Sequence, residues 1–585
     1  MAKRPLPPGA SKPMASPLAR ALRLGLGPIG FAALFSFVSN MLYIALPIYT
    51  NQVYSRVLPS QSAASLWVLT FGCAFVFLIS SVIDYYRAQV LSGFAVVFDQ
   101  QVASRTFAAL FDAVVRRRGT RAQALRDLDT VRAALGGASL NILFDLPWLP
   151  VFLIVLFLID PAVGAVTLVG GVILIILAIL QDRASRGALK EASEAQIASY
   201  GFTDAALRNG EVVRALGMLP TLGRLWSRER FKAVSAANAA ERAGGVYGNT
   251  IRYIRMVIQI AIIAVGALLV MDRSISSGLL FANMILSSRA LAPVERIVGS
   301  WKGLFEAWQS YKRLDTVLLD YEPPEPLTKL PVPAGRVTVE GVSFAPMGAP
   351  ALVLTNLRFA IQPGEFVGVV GPSGAGKSTL ARLLAGIWKP NTGAVRLDGA
   401  DVYTWEREDF GRHVAYQPQD TELFSGTVRD NIARFRADAT DEQVVAAAQL
   451  ANAHDLILRL PNGYETELGE GGMVLSAGQR QRVGLARTLF GEPKLLILDE
   501  PNANLDAEGE AALMKALGEI KARGSTVVLI SHKPSAFRHA DKALVLVNGL
   551  ITEYGPRDEV LAKISKANAP APKPAATPPA LKEAQ

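Results

Sequence analysis

Nine consecutive residues, GPSGAGKST from Gly371 to Thr379, place three glycines, a lysine and two adjacent hydroxyls between an apolar run, Phe366 to Val370, and a helical pattern, LARLLAG. Between a strand and a helix this composition is a phosphate-binding loop. The glycines let backbone N–H groups close around phosphate oxygens, at a helix N-terminus whose dipole favours anions. Gly371, Pro372, Ser373, Gly374, Ala375, Gly376, Lys377, Ser378 and Thr379 are therefore the candidate ATP-binding residues, with Lys377 expected at the β- and γ-phosphates and Ser378 at Mg²⁺. Further on, the apolar residues Leu495 to Leu498 run into Asp499 and Glu500. A buried strand would deliver both carboxylates to its C-terminal end, where open α/β sheets bind ligands. Asp499 suits Mg²⁺, and Glu500 suits the base that orients or deprotonates an attacking water. A strand ending in Asp-Glu is a weak signal by itself and a strong one beside the phosphate loop.

The elements that must position these groups begin near residue 336, where β-type runs such as RVTVEGVSF and EFVGVVG announce a soluble α/β domain over 336–566. A proline-rich linker, 323–335, precedes it, and a Pro/Ala-rich tail expected to be disordered, 567–585, follows. The rest of the 585-residue chain has a different texture. Overall it is 51% apolar with a mean hydropathy of +0.28, too apolar for a soluble protein and too polar for one that is membrane throughout. The net charge of +10 would suit nucleic acid, but it equally suits the basic loops that orient a membrane protein, and no nucleic-acid partner is expected. The single cysteine, Cys73, lies in an apolar run and permits neither an intrachain disulfide nor a cysteine metal cluster.

Six apolar stretches approach the ~20 residues needed to cross a bilayer: about 25–49, 63–83, 142–160, 162–181, 251–271 and 275–292. They make 25–322 a transmembrane domain after a basic N-terminal segment, 1–24. The first, third and fifth connections are short and carry little charge. The second and fourth, 84–141 and 182–250, are long and rich in arginine, including Arg117 and Arg214. Excess Lys/Arg marks the cytoplasmic side, which puts both termini, both long loops and the ATPase there. The two loops favour helix and hold few breakers, so the spans are expected to continue as helices past the bilayer and return, with tips near Arg117 and Gly217.

Beyond these readings the chain resembles the ATP-binding-cassette (ABC) exporters. LSAGQRQR, Leu475 to Arg482, is similar to that family's signature; Gln419 in YQPQD looks like its Q-loop glutamine, Thr466 to Gly472 like the loop that senses the membrane domain, Asn502 to Asp506 like the D-loop, and His532 like the switch histidine. The resemblance implies a six-helix α transmembrane domain of type I exporter architecture followed by an α/β P-loop ATPase. It also implies a homodimer in which each ATP lies between one copy's phosphate loop and the other's Ser476, Gly478 and Gln479. His532 would join Glu500 in catalysis, and Gln419 would join Ser378 and Asp499 at Mg²⁺. Two departures stand out. Ala477 replaces the usual glycine of the signature, and Pro346 replaces the adenine-stacking aromatic.

YSRVLPSQSAASLWVLT from Tyr54, DLPWLPVFLIVLFLIDPAVG from Asp145, RALGMLP from Arg214 and RALAPVERIVGSWKG from Arg289 resemble stretches of type I secretion transporters, over residues 25 to 565 or so. With too few residues before the first span for a peptidase-like domain, the chain is similar to the protease-exporter branch. That branch implies secreted protein substrates with a C-terminal signal, a periplasmic membrane-fusion adaptor, an outer-membrane channel, and the inner membrane with its lipid as location. The alternatives are an exporter of lipid, polysaccharide or small amphipathic molecules on the same fold, a gated channel, or a cassette ATPase without transport, against which the six spans argue.

Overall fold

The computed structural model describes residues 16–115, 123–321, 330–346, 349, 351–472, 474–503, 505 and 507–567. The 323–335 linker and the 567–585 tail fall largely outside these residues, as do the loop tip at Arg117 and the D-loop Asp506. The chain divides into two compact units, Met1–Glu322 and Pro323–Gln585.

Among the described residues, six helices of the first unit are long and apolar enough to cross a membrane: Leu26–Ser60, Ala63–Val115, Gln123–Ile159, Pro161–Arg208, Leu219–Met271 and Ser277–Leu319. Each covers one of the six apolar stretches to within two residues. The residues read as long connections are themselves helical: Ala63–Val115 runs unbroken for 53 residues, and Pro161–Arg208 for 48. The short Asp160-Pro161 connection works because Asp160 caps the helix that follows, accepting from the N–H groups of Ala162 and Val163 at 2.8 and 3.3 Å, with proline at a position that needs no donor. The fourth connection turns through a short helix, Gly210–Ala215, and Gly217 at φ +64°, a left-handed conformation that costs glycine little.

Not every span is straight. The first is interrupted after Leu42 and includes a π-helical turn, Val53–Val57. The third is broken between Ala138–Asp145 and Trp148–Ile159, and the sixth carries Pro293 inside the helix. Trp148, Phe152, Leu156, Leu174, Ile258 and Leu291 form a core among the third to sixth spans.

The second unit is built on two sheets. Strands β1 (Val337–Phe344), β2 (Leu354–Ile361), β4 (Thr392–Leu397) and β5 (Ala400–Asp401) make an antiparallel sheet in the order β2-β1-β4-β5. Strands β3 (Phe366–Val370), β6 (Val414–Gln417), β7 (Leu495–Asp499), β8 (Thr526–Ile530), β9 (Lys542–Val547) and β10 (Leu550–Pro556) form the second, in the order β10-β9-β3-β8-β7-β6. All its pairings are parallel except β9 with β10. Strands β7 and β8 are buried along their whole length, which is why they read as continuous apolar runs and not as alternation.

Candidate active site

Strand order assembles the site. In β3-β8-β7-β6 the four C-terminal ends lie side by side, and each opens into a candidate segment: β3 into the phosphate loop, β8 into Ser531 and His532, β7 into Asp499 and Glu500, β6 into Gln419. Ile530 is the partner of both Val369 and Asp499, so residues more than a hundred positions apart in the chain finish level with one another.

After β3 the backbone must turn sharply to start the helix α1 (Lys377–Leu384). Gly374 and Gly376 do this at φ +81° and +100°. Gly376 is also sterically obligatory, since a Cβ there would lie 2.7 Å from Leu354 Cδ2 and 3.2 Å from the Val353 carbonyl oxygen. Lys377 is 5% exposed, and its Nζ donates to the carbonyls of Gly371 and Pro372, both at 2.9 Å. Burial lowers its pKa from the usual lysine range, while Glu500 and Asp499 pull the other way.

Asp499 is 1% exposed, and neither carboxylate oxygen has a partner of full hydrogen-bond geometry. Burial pushes its pKa above the usual carboxylate range, opposed by the Ser378 hydroxyl, Arg382 and Lys377. An uncompensated buried carboxylate facing a hydroxyl is the donor set that suits a hard divalent cation such as Mg²⁺.

Glu500 is a non-glycine residue in the left-handed region, φ +51°. Its N–H is tied to the Ile530 carbonyl at 3.0 Å, and its side chain is held from two sides. His532 Nε2 lies 2.8 Å from Oε1, and Gln419 Nε2 donates to Oε2 at 3.1 Å. A strained backbone that the surroundings over-determine, at a strand end in a ligand-binding crevice, is a mark of a functional position.

Ser476 is the N-cap of helix α2 (Ala477–Leu489), in a reciprocal capping box. Its Oγ accepts from the Gln479 N–H at 3.3 Å, and Gln479 Oε1 accepts from the Ser476 N–H at 2.9 Å. The Gln479 N–H, expected from the sequence to face a phosphate, is thus already engaged within its own helix cap. Ala477, Gly478 and Gln479 form the first turn of α2, and the alanine methyl fits there without disturbing the cap.

Sequence reasoning missed two residues. Gln481 is 2% exposed and donates from Nε2 to the Pro501 carbonyl at 3.0 Å, joining α2 to the residue after Glu500. Arg434 is half-buried, with a pKa brought down to about 10 by desolvation first and by Arg436 and Arg487 next. Its guanidinium donates to the carbonyls of Arg487 and Thr488, closing the C-terminal turn of α2, and to Gly411. The only sequence signal for Gln481 is its place in the signature motif; Arg434 has none. The loop Thr466–Gly472 is stitched to the segment after Gln419, with Leu468 N–H donating to Gly426 and Val428 N–H to Thr466. Pro346 follows β1, half-buried.

Two family models match the chain: the ABC transporter transmembrane region over residues 29–294 and ABC transporter over 354–503. The type I secretion system ATP-binding protein PrsD of Rhizobium meliloti is 42% identical over 547 residues, covering 93% of both chains. The chain belongs to the ABC transporters of type I secretion systems. The cyclolysin secretion/processing ATP-binding protein CyaB of Bordetella pertussis is 31% identical and covers 91% of this chain, which spans 76% of that relative. A bacterial Atm1-family ABC exporter solved with ATP bound has the same fold, with a TM-score of 0.81 over 94% of this chain and 99% of its own, at 22% identity. This type I secretion ABC transporter is accordingly a multi-pass membrane protein that binds nucleotide and hydrolyses ATP to drive export.

Proposed function

We propose that the chain is half of a homodimeric protein exporter of the inner membrane, with its ATPase and both termini cytoplasmic, moving secreted proteins that carry a C-terminal signal through a periplasmic adaptor and an outer-membrane channel. The observation that carries the chemical part is the bracketing of Glu500 by His532 and Gln419 beside the phosphate loop. Glu500, fixed by both neighbours, orients water and takes up its proton as the water attacks the γ-phosphate, and His532 contacts that phosphate. Lys377 and the N–H groups from Gly371 to Thr379 hold the phosphates. Ser476, Gly478 and Gln479 of the second copy complete the site, and Asp506 communicates between copies.

Mg²⁺ would be held by Ser378, Gln419 and Asp499, where it neutralises charge developing on the phosphates. The unpartnered oxygens of Asp499 support this assignment. The protein-secretion reading draws its support from relatives named as secretion proteins, PrsD and CyaB among them.

The deciding experiment is ATPase activity of the purified chain in lipid vesicles, with and without the C-terminal segment of a secreted protein encoded nearby. Stimulation specific to that segment is the expected result. No response to it, beside strong stimulation by lipid or polysaccharide, would sink the protein-secretion reading.

A further inference from the structure

Asp145 is a carboxylate within a membrane-crossing helix, 6% exposed, at the last residue of the Ala138–Asp145 helix. A negative charge at a helix C-terminus is disfavoured by the dipole, so it needs counter-charges from elsewhere. It finds them on two other spans: Arg296 Nη1 at 2.9 Å from Oδ2 and Arg87 Nη1 at 3.4 Å from Oδ1. A fourth span adds Ser36, whose Oγ donates to Asp145 Oδ1 at 3.3 Å and to the Phe144 carbonyl at 3.1 Å, and Asn40, whose Nδ2 reaches Oδ1 at 3.4 Å. Asp84 extends the cluster, paired with Arg87 at 3.3 Å and accepting from Ser39 at 3.0 Å.

Of the four spans that meet here, two are broken and a third carries an internal proline, each within about one helical turn of the residue it contributes. The third breaks directly after Asp145. The first breaks at Tyr43, three residues beyond Asn40, and the ring of Tyr43 carries the Arg289 guanidinium 3.6 Å from its centroid. In the sixth, Pro293 lies three residues before Arg296 and four after Arg289, so it has no N–H for the Arg289 carbonyl. The breaks are thus wired to one another, first to sixth through Tyr43 and Arg289, first to third through Asn40 and Asp145, third to sixth through Asp145 and Arg296. The second span, unbroken, supplies Asp84 and Arg87.

An ionic hub around a buried carboxylate is a poor device for stability, because desolvation of Asp145 offsets much of the attraction to Arg87 and to Arg296, whose side chain is 43% exposed. Ionisable groups kept inside membrane helices instead mark working parts. We propose that Asp145 is the positioning residue of the export stroke: it holds three spans, at their breaks or internal proline, to one unbroken span, so that nucleotide-driven movement beyond the membrane bends all of them together. This rests on the dimeric exporter reading above.

The test uses the full chain in phospholipid vesicles with Cys73→Ser and Ser274→Cys, the latter at an exposed turn between the fifth and sixth spans. One spin label per copy then reports the distance across the dimer, with and without ATP and vanadate. With the hub intact, nucleotide trapping should shift that distance. Asp145→Asn should keep ATP binding and basal hydrolysis while the shift falls by more than half and export drops about tenfold or more, within the range of ordinary coupling energies. Asp145→Glu, which restores the charge, should recover both. A full shift in Asp145→Asn overturns the proposal. So does loss of ATP binding together with a lowered melting temperature that Asp145→Glu fails to restore, which would make the residue one of packing only. A reporter that does not move even with the hub intact defeats the dimeric reading itself and leaves no stroke to transmit.

Discussion

Glu500 and His532 meet at 2.8 Å although they lie 32 positions apart in the chain, because β7 and β8 are neighbouring parallel strands that end level with each other. The contact places an ionisable ring against the proposed base and leaves Gln419 to hold its other oxygen.

The first prediction concerns that base. Glu500→Gln keeps the shape and the contacts but removes the proton acceptor, so phosphate release should fall by about 10²–10⁴-fold. ATP should stay bound, measured as radiolabelled nucleotide retained after rapid gel filtration. Hydrolysis at an unaltered rate would show that another group takes the proton.

Asp499 buries a charge with neither oxygen properly partnered. Asp499→Asn should relieve that cost and raise the unfolding midpoint of the nucleotide-free protein by about 2–4 °C per kcal/mol recovered. It should also abolish Mg²⁺-dependent hydrolysis, and EDTA should then leave the variant's midpoint unchanged. Scanning calorimetry with and without Mg²⁺ separates these effects.

Gly376→Ala forces a Cβ against Leu354 in a backbone conformation that disfavours it. The strain should be about 1–3 kcal/mol, and ATP affinity should drop by about tenfold or more, since 1.4 kcal/mol is a factor of ten. Titration of a fluorescent ATP analogue reads the loss directly; affinity equal to that of the native loop would contradict the steric argument.

Asp438 is held down to about 2 by hydrogen bonding to Arg436, whose Nη2 lies 2.7 Å from Oδ2. A carboxyl depressed in the folded state contributes stability above its unfolded pKa of about 3.9 and loses it as pH falls toward 2. Asp438→Asn should therefore flatten acid unfolding between about pH 4 and 2 relative to the parent, while leaving the parent's pH dependence of the temperature midpoint from about 5 to 8 unaltered. Circular dichroism across both ranges would reveal a misplaced window.

How much of this was readable in advance depended on sequence distance. The phosphate loop is contiguous, so residues 371–379 carry their own meaning, and the apolar run into Asp499 needs only its length and burial. Hydropathy located the second span up to residue 83 and then stopped at Asp84, yet the helix continues to Val115, because helix propensity and packing outlast the apolar composition. The Asp145 cluster was invisible: its counter-charges lie 58 and 151 positions away, among arginines that any loop-charge argument counts as cytoplasmic markers.

The unbroken helix Ala63–Val115 has a mechanical meaning of its own. At 1.5 Å per residue its 53 residues extend about 80 Å, so a tilt of about 5° at one end displaces the other by roughly 7 Å. A lever of that length gives large travel for small angular change, at the cost of force at the far end.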